Sequence, residues 1–156
     1  IKTYSGGMKQ RLLIAQAFLG DPKVVFMDEP TAGLDPKERI RIRNLISEMA
    51  LGKIVLIATH IVSDVEYISK EILLLKHGEI IGSGNPESLE KELYGIVYEK
   101  KVTVEQLKEI QDKYLVAGIR EEGNQVVVRY LDSKSDEETT VWPTLDDVYL
   151  YHFYKE

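Results

Sequence analysis

Two adjacent carboxylates, Asp28 and Glu29, end the apolar run Val24-Val25-Phe26-Met27 and are followed at once by Pro30. A strand that stops abruptly in Asp-Glu suits a metal-and-water site. Successive residues at a strand end point in different directions, so one carboxylate can serve Mg2+ while the other polarises a water for attack. Seventeen residues before Asp28 stands Arg11, the end of Tyr4-Ser5-Gly6-Gly7-Met8-Lys9-Gln10-Arg11. The two glycines let backbone N–H groups approach an anion, and the amphipathic run that follows reads as a helix whose first turn aims unpaired N–H groups and a positive dipole end at it. Taken alone, Asp-Glu-Pro could be a turn or capping cluster, and Ser-Gly-Gly any glycine turn. Their order and separation point instead to phosphoryl chemistry on ATP.

A third residue joins them through the elements. Residues 8–19 read as a helix stopped by Gly20-Asp21-Pro22, and Val24 to Met27 as a strand buried on both faces, since nothing alternates. Pro36 to Ala50 has helical spacing, with Asp35 as N-cap and Pro36 at the first helical position. Ile54 to Ala58 is a second all-apolar strand, ending at Thr59-His60. Strand, helix and strand, with both strands wholly apolar, mark a parallel sheet. A parallel neighbour delivers His60 to the edge that carries Asp28 and Glu29, where ligands of such sheets bind. His77 and His152 lack such a placement and read as structural.

Further on, Ser63 to Ser69 reads as a short helix, and Glu71–Leu75 with Glu79–Gly82 as a hairpin about His77-Gly78. Asn85-Pro86 opens a helix to about Tyr94. After Gly95 the character changes: strands over 96–100, 115–119 and 125–131, a helix over Val104–Lys113, a polar loop over 132–140 and a closing helix over Leu145–Tyr154. The expectation is an α/β portion over residues 1–94 and a small α+β domain over 95–156.

Composition narrows the partners. The chain has 156 residues, 44% of them hydrophobic, and no cysteine, which excludes disulfides, Cys-ligated zinc and thiol catalysis and fits a reducing compartment. No apolar run approaches the ~20 residues that span a bilayer. Residues 1–90 carry 11 basic against 12 acidic side chains, residues 91–156 carry 9 against 14, and this acidic end argues against nucleic acid. The first residue is Ile rather than Met, so the chain is expected to be a segment of a longer protein.

With these motifs in order, residues 3–84 resemble the second half of an ABC-transporter nucleotide-binding domain. Tyr4-Ser5-Gly6-Gly7-Met8 resembles the ABC signature, Val24–Glu29 the Walker B strand, Thr31-Ala32-Gly33-Leu34-Asp35 the D-loop, and His60 the switch histidine. The resemblance implies a partial P-loop NTPase (ABC ATPase) sheet with helices, followed by the α+β domain. It implies ATP and Mg2+ as cofactors, with Asp28 acting on Mg2+ through water, Glu29 as general base and His60 on the γ-phosphate. Ser5, Gly6 and Gly7 would meet the ATP of the opposite subunit, and Asp35 would communicate across the dimer interface. Implied partners are a second nucleotide-binding subunit and an integral membrane permease, with the chain peripheral on the cytoplasmic face of the membrane.

Tyr4 stands where the signature usually has leucine and Met8 where it has glutamine. Both variants look like those of drug- and antibiotic-export ATPases, and Pro143-Thr144-Leu145-Asp146-Asp147-Val148-Tyr149 is similar to the Pro-Ser-Leu-Glu-Asp-Val-Phe that closes many exporter subunits. The resemblance breaks at one point: the 156 residues hold no G-x-x-x-x-G-K-[ST], the loop that cradles the β- and γ-phosphates. The expectation is therefore an exporter ATPase subunit begun at its signature and inactive alone, with Ile54–Ala58 an exposed edge. A non-transport ABC-type ATPase is weighed against it, as is a non-catalytic interaction fragment. The D-loop wording and the lack of coiled-coil heptads disfavour the first of these.

Overall fold

The computed structural model describes residues 3–132 and 140–154, so most of the loop expected over 132–140 lies outside the described residues. The chain divides into two compact units, residues 1–69 and 70–156. The division falls upstream of the change of character near residue 94.

The first unit runs α1 (Gly6–Ala17), β1 (Val24–Asp28), α2 (Pro36–Met49), β2 (Ile54–Ala58) and α3 (Val62–Ile68). β1 and β2 pair in parallel, with Val24 opposite Ile54 and Asp28 opposite Ala58. Helix α2 is the crossover between them. It starts where expected because the Asp35 carboxylate accepts the Glu38 N–H at 3.0 Å and Pro36 needs no N–H partner in the first turn. Ile42 and Ile46, one turn apart and wholly buried, meet Ile14 and Phe18 of α1 and Val25 and Met27 of β1. Burial of each such isoleucine stabilises the unit by roughly 1.5–3 kcal/mol.

This packing corrects the expectation that the strands are covered on both sides. β1 alternates: Val25 and Met27 are buried, whereas Val24 is 44% and Phe26 77% exposed. β2 alternates likewise, with Ile54 and Leu56 exposed and Val55 and Ile57 turned to the core. Up to Asp28 both strands are apolar, yet α1 and α2 pack on one face only, and no helix of this unit covers the other among the described residues.

Helix α1 begins two residues earlier than its sequence suggests, because the Ser5 hydroxyl accepts the Met8 N–H at 3.3 Å and caps it. The glycines thus lie within the first turn, not before it. Gly7 is buried against α2, and a Cβ there would collide with the Glu38 carboxylate.

The second unit opens with a hairpin of β3 (Ile72–Lys76) and β4 (Glu79–Gly84). Its two turn residues, His77 and Gly78, both have positive φ (53° and 84°), the type I′ geometry that matches strand twist. Helix α4 (Pro86–Glu92), capped by Asn85, packs on β4 and on the closing helix α6 (Leu145–Tyr154). Between them lie β5 (Val97–Val102), α5 (Val104–Lys113), β6 (Leu115–Glu122) and β7 (Gln125–Leu131), the strands forming an antiparallel sheet in the order β5-β7-β6. Val102, Ile110, Val126, Val128, Tyr98 and Tyr130 make its core.

The closing motif has a structural explanation. Asp147, 1% exposed, accepts from the Thr144 N–H at 2.8 Å and from Arg129 Nε at 3.0 Å, and its own N–H reaches Thr144 Oγ1 at 3.4 Å. A capping box at the start of α6 is thereby fused to a buried ion pair with β7.

The uncovered face of β1 and β2 generates a prediction. The 156-residue chain is expected to self-associate in dilute solution through Phe26, Val24, Ile54 and Leu56, and Phe26→Glu to shift it toward monomer. Sedimentation velocity checks this, and a wild-type chain that remains a stable monomer would contradict it.

Candidate functional site

Glu29 is the centre of the site. It follows β1 directly, and its N–H donates to the Ala58 carbonyl at 2.8 Å, which extends the parallel pairing one residue past the strand. Its backbone has φ 43°, a left-handed conformation uncommon outside glycine. Pro30 steers the preceding residue away from the right-handed helical region. Holding such a conformation costs of order 1–3 kcal/mol, and it persists where surrounding contacts over-determine it.

Those contacts come from the end of β2. Glu29 Oε1 accepts the His60 N–H at 3.1 Å and lies 2.6 Å from His60 Nδ1, while Oε2 accepts the Thr59 hydroxyl at 2.9 Å. The Thr59 oxygen in turn accepts the Ile61 N–H at 3.1 Å, so its single proton is committed to Glu29. An ionised carboxylate offers about four acceptor positions. Two are filled on Oε1 and one on Oε2, which leaves Oε2 one position for a water. Partial burial pushes the Glu29 carboxyl up, but the bonds from His60 and Thr59 outweigh it and hold it below the usual glutamate range. The carboxylate cannot donate, so Nδ1 of His60 carries the proton between them. The His60 ring is otherwise largely exposed, its side chain 72% accessible.

Asp28 ends β1 beside Glu29 and is exposed. Among the described residues no group of three or more acidic, His or Cys side chains gathers to hold a metal. A lone exposed carboxylate fits Mg2+, which keeps several waters and takes one or two carboxylates together with substrate phosphates.

The remaining sequence-derived candidates form a second cluster. Ser5 caps α1 and Asp35 caps α2, and an added Cβ on Gly6 would lie 3.7 Å from Leu34. Glu38 fills the space left by Gly7 and pairs with Arg11, which ties the two helix starts together. No hydrogen bond joins this cluster to Glu29 or His60 among the described residues. Thr59 and Glu38 escaped the sequence reading. The Asp35-x-x-Glu38 spacing could have flagged the second, whereas a threonine before a histidine carries no signal of its own.

Comparisons with known proteins show what the chain resembles. The model of the ABC transporter family matches residues 1–32. ABC transporter A family member 8 of Dictyostelium discoideum is 38% identical over 110 residues, 70% of this chain and 13% of that protein. Nod factor export ATP-binding protein I of Rhizobium johnstonii is 42% identical over 92 residues, 58% of this chain and 30% of that protein. A solved dimeric ATP-binding cassette bound to ADP and Pi is 31% identical with a TM-score of 0.48, covering 54% of this chain and 37% of that one. The chain is similar in sequence to ABC transporter ATP-binding proteins and spans less than a third of the length of these curated relatives.

The lowered Glu29 carboxyl fixes the sign of a pH effect. Its stabilisation is fully present above the unfolded value of 4.5 and is lost as pH falls through the lower folded value. The stability difference between wild type and Glu29→Gln is therefore expected to be constant above that range and to shrink on acidification. Urea unfolding at neutral and acid pH reads it, and an equal difference at both would remove the charged contact from the account.

Proposed function

From this kinship with ABC transporter ATP-binding proteins, we propose that the chain is the portion of an ABC exporter ATPase subunit that runs from the signature through the switch histidine, with an accessory domain after it. The observation that carries the reading is the Glu29 carboxylate, ionised, held from both sides by Thr59 and His60, with one acceptor position open at the edge of a parallel strand pair. That is the arrangement a general base for water needs: correct protonation, fixed orientation and a free lone pair.

Asp28, at the same edge, would hold Mg2+ through water, and the bound ion would supply charge neutralisation on the β- and γ-phosphate oxygens of ATP. His60 would meet the γ-phosphate through Nε2. With Nδ1 engaged by Glu29, Nε2 is the ring atom left to face the phosphate. Ser5, Gly6 and Gly7 would present the first turn of α1 to the γ-phosphate of ATP bound by a second subunit, and Asp35 would lie across that interface. With no hydrogen bond from these residues to Glu29 among the described residues, the arrangement is compatible with a site completed in trans.

Export is supported by the Tyr4 and Met8 variants of the signature and by the likeness to a Nod factor export ATP-binding protein. The partner in this reading is a membrane permease, with the chain peripheral on the cytoplasmic face; no described helix is long and apolar enough to cross a membrane. Residues 1–94 would be the ATPase portion and 95–156 the accessory domain, a division supported by the antiparallel sheet that begins at Val97.

Because the 156 residues hold no phosphate loop, the chain by itself is expected not to bind Mg-ATP. Calorimetric titration of Mg-ATP into the purified chain tests this: no saturable heat is expected, and tight 1:1 binding would mean a nucleotide site built from residues assigned here to structure.

A further inference from the structure

We infer that Asp64 is a positioning residue that sets the spacing between the loop carrying Asp35 and the strand end carrying His60; its relevance to catalysis rests on the ATPase reading above. Asp64 lies four residues after His60 in α3, is 3% exposed, and accepts the hydroxyl of Thr31, itself 1% exposed. Thr31 stands two residues after Glu29 and four before Asp35. Its carbonyl accepts the Leu34 N–H at 3.3 Å, while the Ala32 N–H donates to the Glu29 carbonyl at 3.2 Å. One buried hydrogen bond thus joins the two segments that leave the C-terminal ends of the parallel strands.

The other carboxylate oxygen faces a cation rather than a hydrogen-bond donor. Asp64 Oδ1 lies 3.5 Å from Arg43 Nη1 and has no hydrogen-bond partner of its own. Arg43 is fixed independently: Nη1 donates to the Ser63 carbonyl at 3.1 Å and the guanidinium lies 4.6 Å from the centre of the Tyr67 ring. α2, α3 and the loop after β1 therefore converge on one carboxylate. A charge buried this deeply is costly, and packed apolar residues would serve stability as well or better. What apolar contacts lack is direction. A hydrogen bond and an ion pair to two different elements fix how far the 31–35 loop stands from α3, and hence from His60 at the start of that connection.

The test uses the 156-residue chain without nucleotide, so it stands or falls apart from the ATPase reading. Thr31→Val keeps the shape and removes the donor, whereas Thr31→Ser keeps the hydroxyl. At one fixed neutral pH, Thr31→Val is expected to shift the 15N ring signals of His60 and the amide signals of Leu34 and Asp35. It should also speed amide exchange over residues 59–64 by about tenfold, the scale on which one lost hydrogen bond acts on local opening. Thr31→Ser is expected to restore all three, with the signals of residues 97–131 unchanged in both. Unmoved His60 and Asp35 signals in Thr31→Val, or Thr31→Ser displaced as far as Thr31→Val, would overturn the proposal. Should Thr31→Val fail to fold, Asp64→Asn gives the reading instead, since it leaves Thr31 an acceptor and removes the charge facing Arg43. Displaced His60 signals are then expected, and native ones would overturn it.

Discussion

The parallel register of β1 and β2 is the constraint on which the site depends. Asp28 stands opposite Ala58, so the next residue on each strand, Glu29 and Thr59, leaves the sheet at the same level, with His60 one step beyond. A one-residue slip of β1 would turn its core side chains outward, exposing Val25 and Met27, and would separate Glu29 from both partners. The register is thus held from two directions: by the burial of Val25 and Met27 under α1 and α2, and by hydrogen bonds to the Glu29 carboxylate. Core packing and site geometry are here one arrangement.

A division of labour follows. The sheet edge supplies the carboxylates and the histidine, whereas the helix starts supply oriented N–H donors, and among the described residues the two clusters share no hydrogen bond. In the proposed ATPase these parts meet around one nucleotide only when a second subunit presents its helix start. Phosphoryl transfer draws its rate from positioning and charge stabilisation, so a site divided in this way makes hydrolysis depend on association. The face of β1 that carries Phe26, left open by α1 and α2, is consistent with further structure beyond this unit in the working protein.

Much of this was legible in the residues. Asp35 followed by Pro36 located the start of α2, and two apolar runs around a helix gave the parallel pair. His60 was placed beside Glu29 by topology alone. The misreading of the strands has a plain cause. An apolar run is compatible with burial on both faces but does not say that one unit supplies both coverings. The glycines were misassigned for a related reason: a Ser-Gly-Gly turn and a Ser-capped helix with glycine in its first turn look alike in sequence, and the Met8 N–H donated to the Ser5 hydroxyl separates them. Thr59, Thr31 and Asp64 were invisible because their importance lies in pairings over about 30 residues of sequence, which a short motif cannot encode. Asp147 was seen only as part of a likeness, and its pairing with Arg129 gives that likeness a physical basis.

The central claim is that Glu29 is the base. Single-turnover hydrolysis by the intact ATPase subunit that carries this chain, compared with its Glu29→Gln variant, tests it most directly. The account predicts hydrolysis slowed by roughly 10²- to 10⁴-fold, the usual contribution of a general base, with ATP binding retained. Hydrolysis by Glu29→Gln at the wild-type rate would contradict it.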